Sequence, residues 1–133
     1  MTAPDSPTPT NELLGTWFSE RDLPDFTKLE PGHFAPALEA AMAEHLAEIE
    51  AIAGASAAAT FANTIEPLER AGLRLSRTAS VFWIMASADT NPALQELERD
   101  LSPKFAAHFD NITTNRPLFE RVETVWNARD GAW

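Results

Sequence analysis

The chain has 133 residues, 44% of them hydrophobic, which suits one domain with a real core and excludes disorder throughout. Its formal charge of -10, from 20 acidic and 10 basic side chains, opposes phosphate backbones and anionic lipid, so neither nucleic acid nor membrane is expected as a partner. There is no cysteine, which removes disulfides and thiolate metal sites, and no apolar run approaches the roughly 18 residues of a membrane span. The start, Met1-Thr2-Ala3-Pro4-Asp5-Ser6, has neither a basic nor an apolar stretch of the signal-peptide kind, and a cytoplasmic location is expected.

Residues 1–10 hold Pro4, Pro7 and Pro9 among Ser, Thr and Asp, and read as a disordered lead. Residues 11–32 carry Leu13, Leu14, Trp17, Phe18, Leu23, Phe26 and Leu29 without a steady period, with Pro24 and Pro31 interrupting any helix. They read as an extended arm whose large side chains pack on the domain. From residue 33 to 133 a helical domain is expected. Phe34, Leu38, Met42, His45, Ile49 and Ile52 recur at steps of three and four and share one helix face, with Pro36 in the first turn and Gly54 at the end.

A second helix is expected to start at Thr60 or Asn63, either of which can cap it; with Asn63 as cap, Glu66 would complete a capping box. Ile65, Leu68, Gly72, Leu75, Ala79, Phe82 and Ala86 then form a bundle seam over about 25 residues, or roughly 38 Å. Thr90-Asn91-Pro92 caps a third helix with Leu94, Leu97, Leu101, Phe105, His108 and Ile112 on its apolar face, and Pro103 should kink or split it. Asn115-Arg116-Pro117 opens a fourth that buries Leu118, Val122 and Val125, with Trp126 beside them and Gly131 near its end. The expectation is an all-α fold: an antiparallel bundle of about four helices preceded by an extended, proline-containing arm.

Chemistry is hard to place on this pattern. His33, His45 and His108 show no His-Glu-x-x-His spacing, no Glu-x-x-His pair suits a di-iron site, and no Gly-x-Ser-x-Gly turn or glycine-rich phosphate loop occurs. His45 and Glu48 lie one turn apart and could share a surface metal, but His45 and His108 read better as core-edge residues, and His33 as a cap or a solvated side chain. Glu44 and Glu48 flank the apolar face and should meet water. No catalytic residue and no metal ligand is assigned. Arg70, Arg74 and Arg77 form a stripe that either grips a peptide carboxylate or pairs with acids on a neighbouring helix. Trp83, next to Phe82 of the seam, packs against another helix or anchors a partner domain. These four residues are the candidate peptide-channel or domain-contact face.

The order of short motifs carries a further signal. Leu23-Pro24-Asp25-Phe26 is followed by Pro31-Gly32-His33-Phe34-Ala35-Pro36, Thr60-Phe61-Ala62-Asn63-Thr64-Ile65-Glu66, Leu75-Ser76-Arg77, Ala88-Asp89-Thr90-Asn91-Pro92 and Pro103-Lys104-Phe105-Ala106-Ala107-His108. From about residue 11 to 127 this series resembles the amino-terminal region of bacterial peptidyl-dipeptidases and oligopeptidase A, in the thimet oligopeptidase family of zinc peptidases.

The resemblance implies a longer, mostly helical parent whose active site lies in a deep channel, with these helices forming part of one wall. It implies zinc in the parent and none in this chain, because the His-Glu-x-x-His helix is absent. The expected partners are then a catalytic region carried elsewhere on the same polypeptide and short peptides in the parent, and the chain reads as a truncated product. The alternative is a stand-alone helical interaction module derived from that family. Loss of a covering half would leave an apolar patch at Trp126, Trp133 or Trp83 and promote self-association.

Overall fold

A computed structural model describes residues 11–15, 23–88 and 91–129. The expected lead at 1–10, the Trp17-Phe18 pair, Gly131 and Trp133 lie outside the described residues. Among those described, the fold is all-α, with four long helices, one short one and no strand.

Helix α1, Pro31–Ala53, starts two residues ahead of the expected position. Its opening is closed on both sides: the Glu30 N–H donates to His33 Nδ1 at 3.2 Å, and the His33 N–H donates to the Glu30 carbonyl at 2.9 Å. Pro36 therefore falls in the second turn, not the first, and the bond it cannot donate is one that the exposed Gly32 carbonyl can make to water. Phe34, Leu38, Met42, Ile49 and Ile52 are buried as the period requires, and His45 between them is half-buried. Gly54 ends the helix by donating to the Glu50 carbonyl at 2.9 Å. α1 is the central helix, touching every later one.

The second helix departs from expectation. Thr60 is the cap: its hydroxyl accepts the Asn63 N–H at 3.1 Å, and Asn63 Oδ1 accepts the Thr60 N–H at 2.7 Å. Of the two caps the sequence offered, Thr60 is the one used, which puts Asn63 at the third helical position, so the reciprocal bond comes from Asn63 and the Glu66 pairing tied to an Asn63 cap does not arise. A π-helical turn, Phe61–Ile65, leads into the short α2, Glu66–Arg70. The single helix of about 25 residues does not form. Gly72, at φ +77, turns the chain, and α3 begins afresh at Leu73–Ala88. The seam continues across the break, which is why spacing alone runs straight through it.

Helix α4, Pro92–Thr113, is capped by Asn91, whose Oδ1 accepts the Ala93 N–H at 2.9 Å. Pro103 does not split it. Pro103 and Arg99, whose carbonyl loses its i+4 donor, are both exposed, so water can take the missing bond. Helix α5, Arg116–Asn127, is capped by Asn115 through the Leu118 N–H at 3.1 Å. It buries Leu118 and Val125 and leaves Trp126 60% exposed, under the Arg129 guanidinium at 4.3 Å.

Two cores result. The larger joins Phe34 and Leu38 of α1, Leu75 and Phe82 of α3, and Leu94 and Leu101 of α4, with Leu13 from the segment before α1 fully buried among them. Phe34 and Phe82 meet edge to face at 5.3 Å. Each such side chain contributes about 1.5–3 kcal/mol when fully buried. The smaller core joins Ile49 and Ile52 to Leu118, with Leu68 and Ile112 against it.

Candidate functional site

The helix period places His45 on α1 and His108 on α4 at the same level, and the two rings meet. His45 Nδ1 and His108 Nε2 are 2.8 Å apart, so one donates and the other accepts. His108 is 4% exposed and its Nδ1 has no hydrogen-bond partner. Burial holds both imidazoles below the usual histidine pKa, and the neighbouring His45 lowers His108 further. The Gly72 turn closes on the outer edge of His45, where an added Cβ would lie 2.9 Å from Nε2.

Beside this pair α3 and α4 leave an open cavity of about 580 Å3. α3 supplies Ser76, Ala79, Ser80 and Trp83, and α4 supplies Ser102, Phe105 and Phe109. His45, the Ala71-Gly72 turn and Leu75, also on α3, add to the lining, and among the described residues no Asp, Glu, Lys or Arg takes part. The Ser80 and Ser102 hydroxyls donate to the carbonyls one turn back, at 2.8 and 2.7 Å, so they present little unsatisfied polarity to the cavity. Trp83 is 41% exposed, its ring meeting Phe82 edge to face at 5.2 Å. Its place beside the seam was readable from spacing. Phe105 and Phe109 were not singled out as lining residues, and their signal was a pair of aromatics one turn apart around His108.

The arginine stripe does not act as a unit. Arg74 Nε bonds Glu44 Oε2 on α1 at 2.7 Å, and its Nη1 donates to the Leu14 and Gly15 carbonyls at 3.3 and 3.0 Å. Arg70 bonds Glu66 of its own helix at 3.5 Å and borders a shallow hollow with Glu48 and Asn63. Arg77 is half-buried, with no ion pair to a described residue. A different arginine does the long-range work. Arg121 of α5 donates from Nη1 to the Ala55 and Ala57 carbonyls at 3.1 and 2.8 Å and from Nη2 to Asn63 Oδ1 at 3.2 Å. Nothing local in the sequence marks it, since its acceptors are backbone groups of a remote loop.

The residues do not fit a zinc centre. His45 and His108 spend a nitrogen on each other, and His33 accepts at the start of α1. Among the described residues no group of three or more His, Cys, Asp or Glu could hold a metal ion. Nor is any described helix long and apolar enough to cross a membrane.

Fold and cavity together define an all-α bundle with an uncharged apolar groove between two of its helices. The particular kinship comes from sequence. The chain is 39% identical over 120 residues to the dipeptidyl carboxypeptidase of Salmonella typhimurium, covering 90% of this chain and 18% of that protein. It is 39% identical over 107 residues to the dipeptidyl carboxypeptidase of Escherichia coli, covering 80% of the chain and 16% of the relative. It is 33% identical over 122 residues to oligopeptidase A of Salmonella typhimurium, covering 92% and 17%. No family model matches. Over most of its length the chain is therefore related to these peptidases, and it spans less than a fifth of the length of each.

Proposed function

We propose that this chain is the amino-terminal helical segment of a zinc peptidase of the dipeptidyl carboxypeptidase and oligopeptidase A kind. It forms part of the wall of the peptide channel and performs no hydrolysis itself. The observation that carries this reading is the asymmetry of the match: about nine-tenths of the chain aligns with less than a fifth of the relative. The side chains present here build packing, caps and a groove, and the groups that bind zinc and activate water belong to the rest of the polypeptide, as does contact with short peptides.

The test exchanges segments. The part of the Salmonella typhimurium dipeptidyl carboxypeptidase that aligns with this chain is replaced by it, and release of dipeptides from blocked peptides is measured. The chimaera is expected to hydrolyse them, the same protein lacking the segment to fail, and the chain alone to be inert with or without added zinc. Hydrolysis by the chain alone that a chelator abolishes would overturn the reading.

A further inference from the structure

The groove between α3 and α4 calls for an occupant. Its walls carry small side chains, Ser76, Ala79 and Ser80 on one side and Ser102 on the other, which let a backbone approach closely. Above them stand Trp83, 41% exposed, and Phe109, 50% exposed, and the apolar surface runs on to Ile84, 61% exposed, beside Ser87 and Ala88. Large aromatics left half in water on adjoining helices mark a contact surface.

The chemistry of the lining selects among occupants. In a chain with 23% charged residues and a net charge of -10, the described residues that line the groove include no Asp, Glu, Lys or Arg, and burial disfavours the charged form of the one histidine among them, His45. A peptide substrate brings at least one charged terminus, which would meet no counter-charge here. An apolar helix meets a complementary surface, in the manner of a helix laid into a groove. The relatives supply such a segment in principle, because this chain matches only 16–18% of their length.

We infer that the groove lined by Trp83, Phe105 and Phe109 is the seat of an uncharged apolar helix from the remainder of the peptidase polypeptide. This rests on the chain being part of such a peptidase. It assigns the groove to the joint that holds the segment in place, and the peptide-lining surface to another face.

The chain has no cysteine, so one can be placed at will. Ser80→Cys puts a thiol in the groove, and Glu123→Cys on α5 serves as an exposed reference. Labelling by a soluble thiol reagent is compared in the chain alone and in the chimaera, with the relative's own cysteines removed. In the chain alone both positions are expected to react at similar rates. In the active chimaera the thiol of Ser80→Cys is expected to react at least tenfold more slowly than that of Glu123→Cys. An active chimaera in which both react alike overturns the groove assignment and leaves the peptidase reading standing. An inactive, unfolded chimaera counts against that reading itself. Protection that appears only on adding a peptide assigns the groove to substrate, and protection in the chain alone that grows with concentration assigns it to a second copy. Either result overturns the inference.

Discussion

Gly72 and His45 stand so close that a single added carbon does not fit between them: a Cβ on Gly72 would lie 2.9 Å from Nε2 and 3.0 Å from Cδ2 and Cε1 of the imidazole. The same glycine sits at φ +77, where other residues are strained. Gly72→Ala is therefore expected to cost at least about 1–2 kcal/mol from backbone conformation alone, and more from the contact. Urea unfolding checks this, and a loss within about 0.5 kcal/mol would count against the close approach. In a His45→Ala background the cost of Gly72→Ala should shrink, because only the backbone strain remains.

The paired imidazoles make stability depend on pH. Both are held below the ordinary histidine pKa of 6.5, chiefly by burial. As pH falls through 6.5 the unfolded chain takes up protons that the folded chain refuses, so the unfolded state gains. Stability from this source is complete above pH 6.5 and falls as the pH drops towards the folded pKa values. Thermal unfolding followed from pH 7.5 to 5.5 should show the decline, before carboxylate titration dominates. His108→Gln should flatten it. An unchanged slope in that variant would sink the assignment.

Arg121 closes the loop after α1 by donating to two of its carbonyls and to the amide that builds the next helix start. Hydrogen bonds from a charged donor are worth about 1.5–3 kcal/mol when a partner is stranded. Arg121→Ala is expected to destabilise by about 2 kcal/mol and to open residues 55–59 to protease. Arg121→Lys should rescue little of this, because a single ammonium cannot span the acceptors of a guanidinium fork. Equal nicking of the parent and of Arg121→Ala would show that the clamp does not hold the loop.

Thr78 works in the opposite sense. It is fully buried on α3 and its hydroxyl has no hydrogen-bond partner. Thr78→Val keeps the shape and removes the unsatisfied group, so it should stabilise by about 1 kcal/mol. A loss of stability in urea would mean that the hydroxyl is bonded after all.

The parts of this fold that local chemistry governs were legible in the sequence. Asn91 before Pro92 and Asn115 before Arg116 cap their helices because an amide oxygen reaches the free N–H groups of the next turn. The buried face of α1 followed from its period. The break at Gly72 was not legible, since it depends on the sign of one torsion and on an imidazole from another helix. Of the two outcomes expected at Pro103, the split does not occur: whether a proline breaks a helix depends on who satisfies the stranded carbonyl, and that is a matter of exposure. Of the candidate surface, Trp83 was legible as the aromatic beside a core position. The groove was not, because its lining is drawn from α1, α3, α4 and the turn at Gly72.

The two cores also fix an order of assembly. Every buried member of the larger one lies between Leu13 and Leu101, whereas the smaller one requires Leu118, and the loop clamp requires Arg121. On a ribosome, where the chain emerges from its amino terminus, the larger core can close before α5 has emerged. The loop at residues 55–59 then stays unfastened until α5 brings Arg121 to it. A nascent chain that has emerged past Leu101 but not as far as Leu118 should be a folded body with one open seam, ready for cleavage at that loop and nowhere in the larger core.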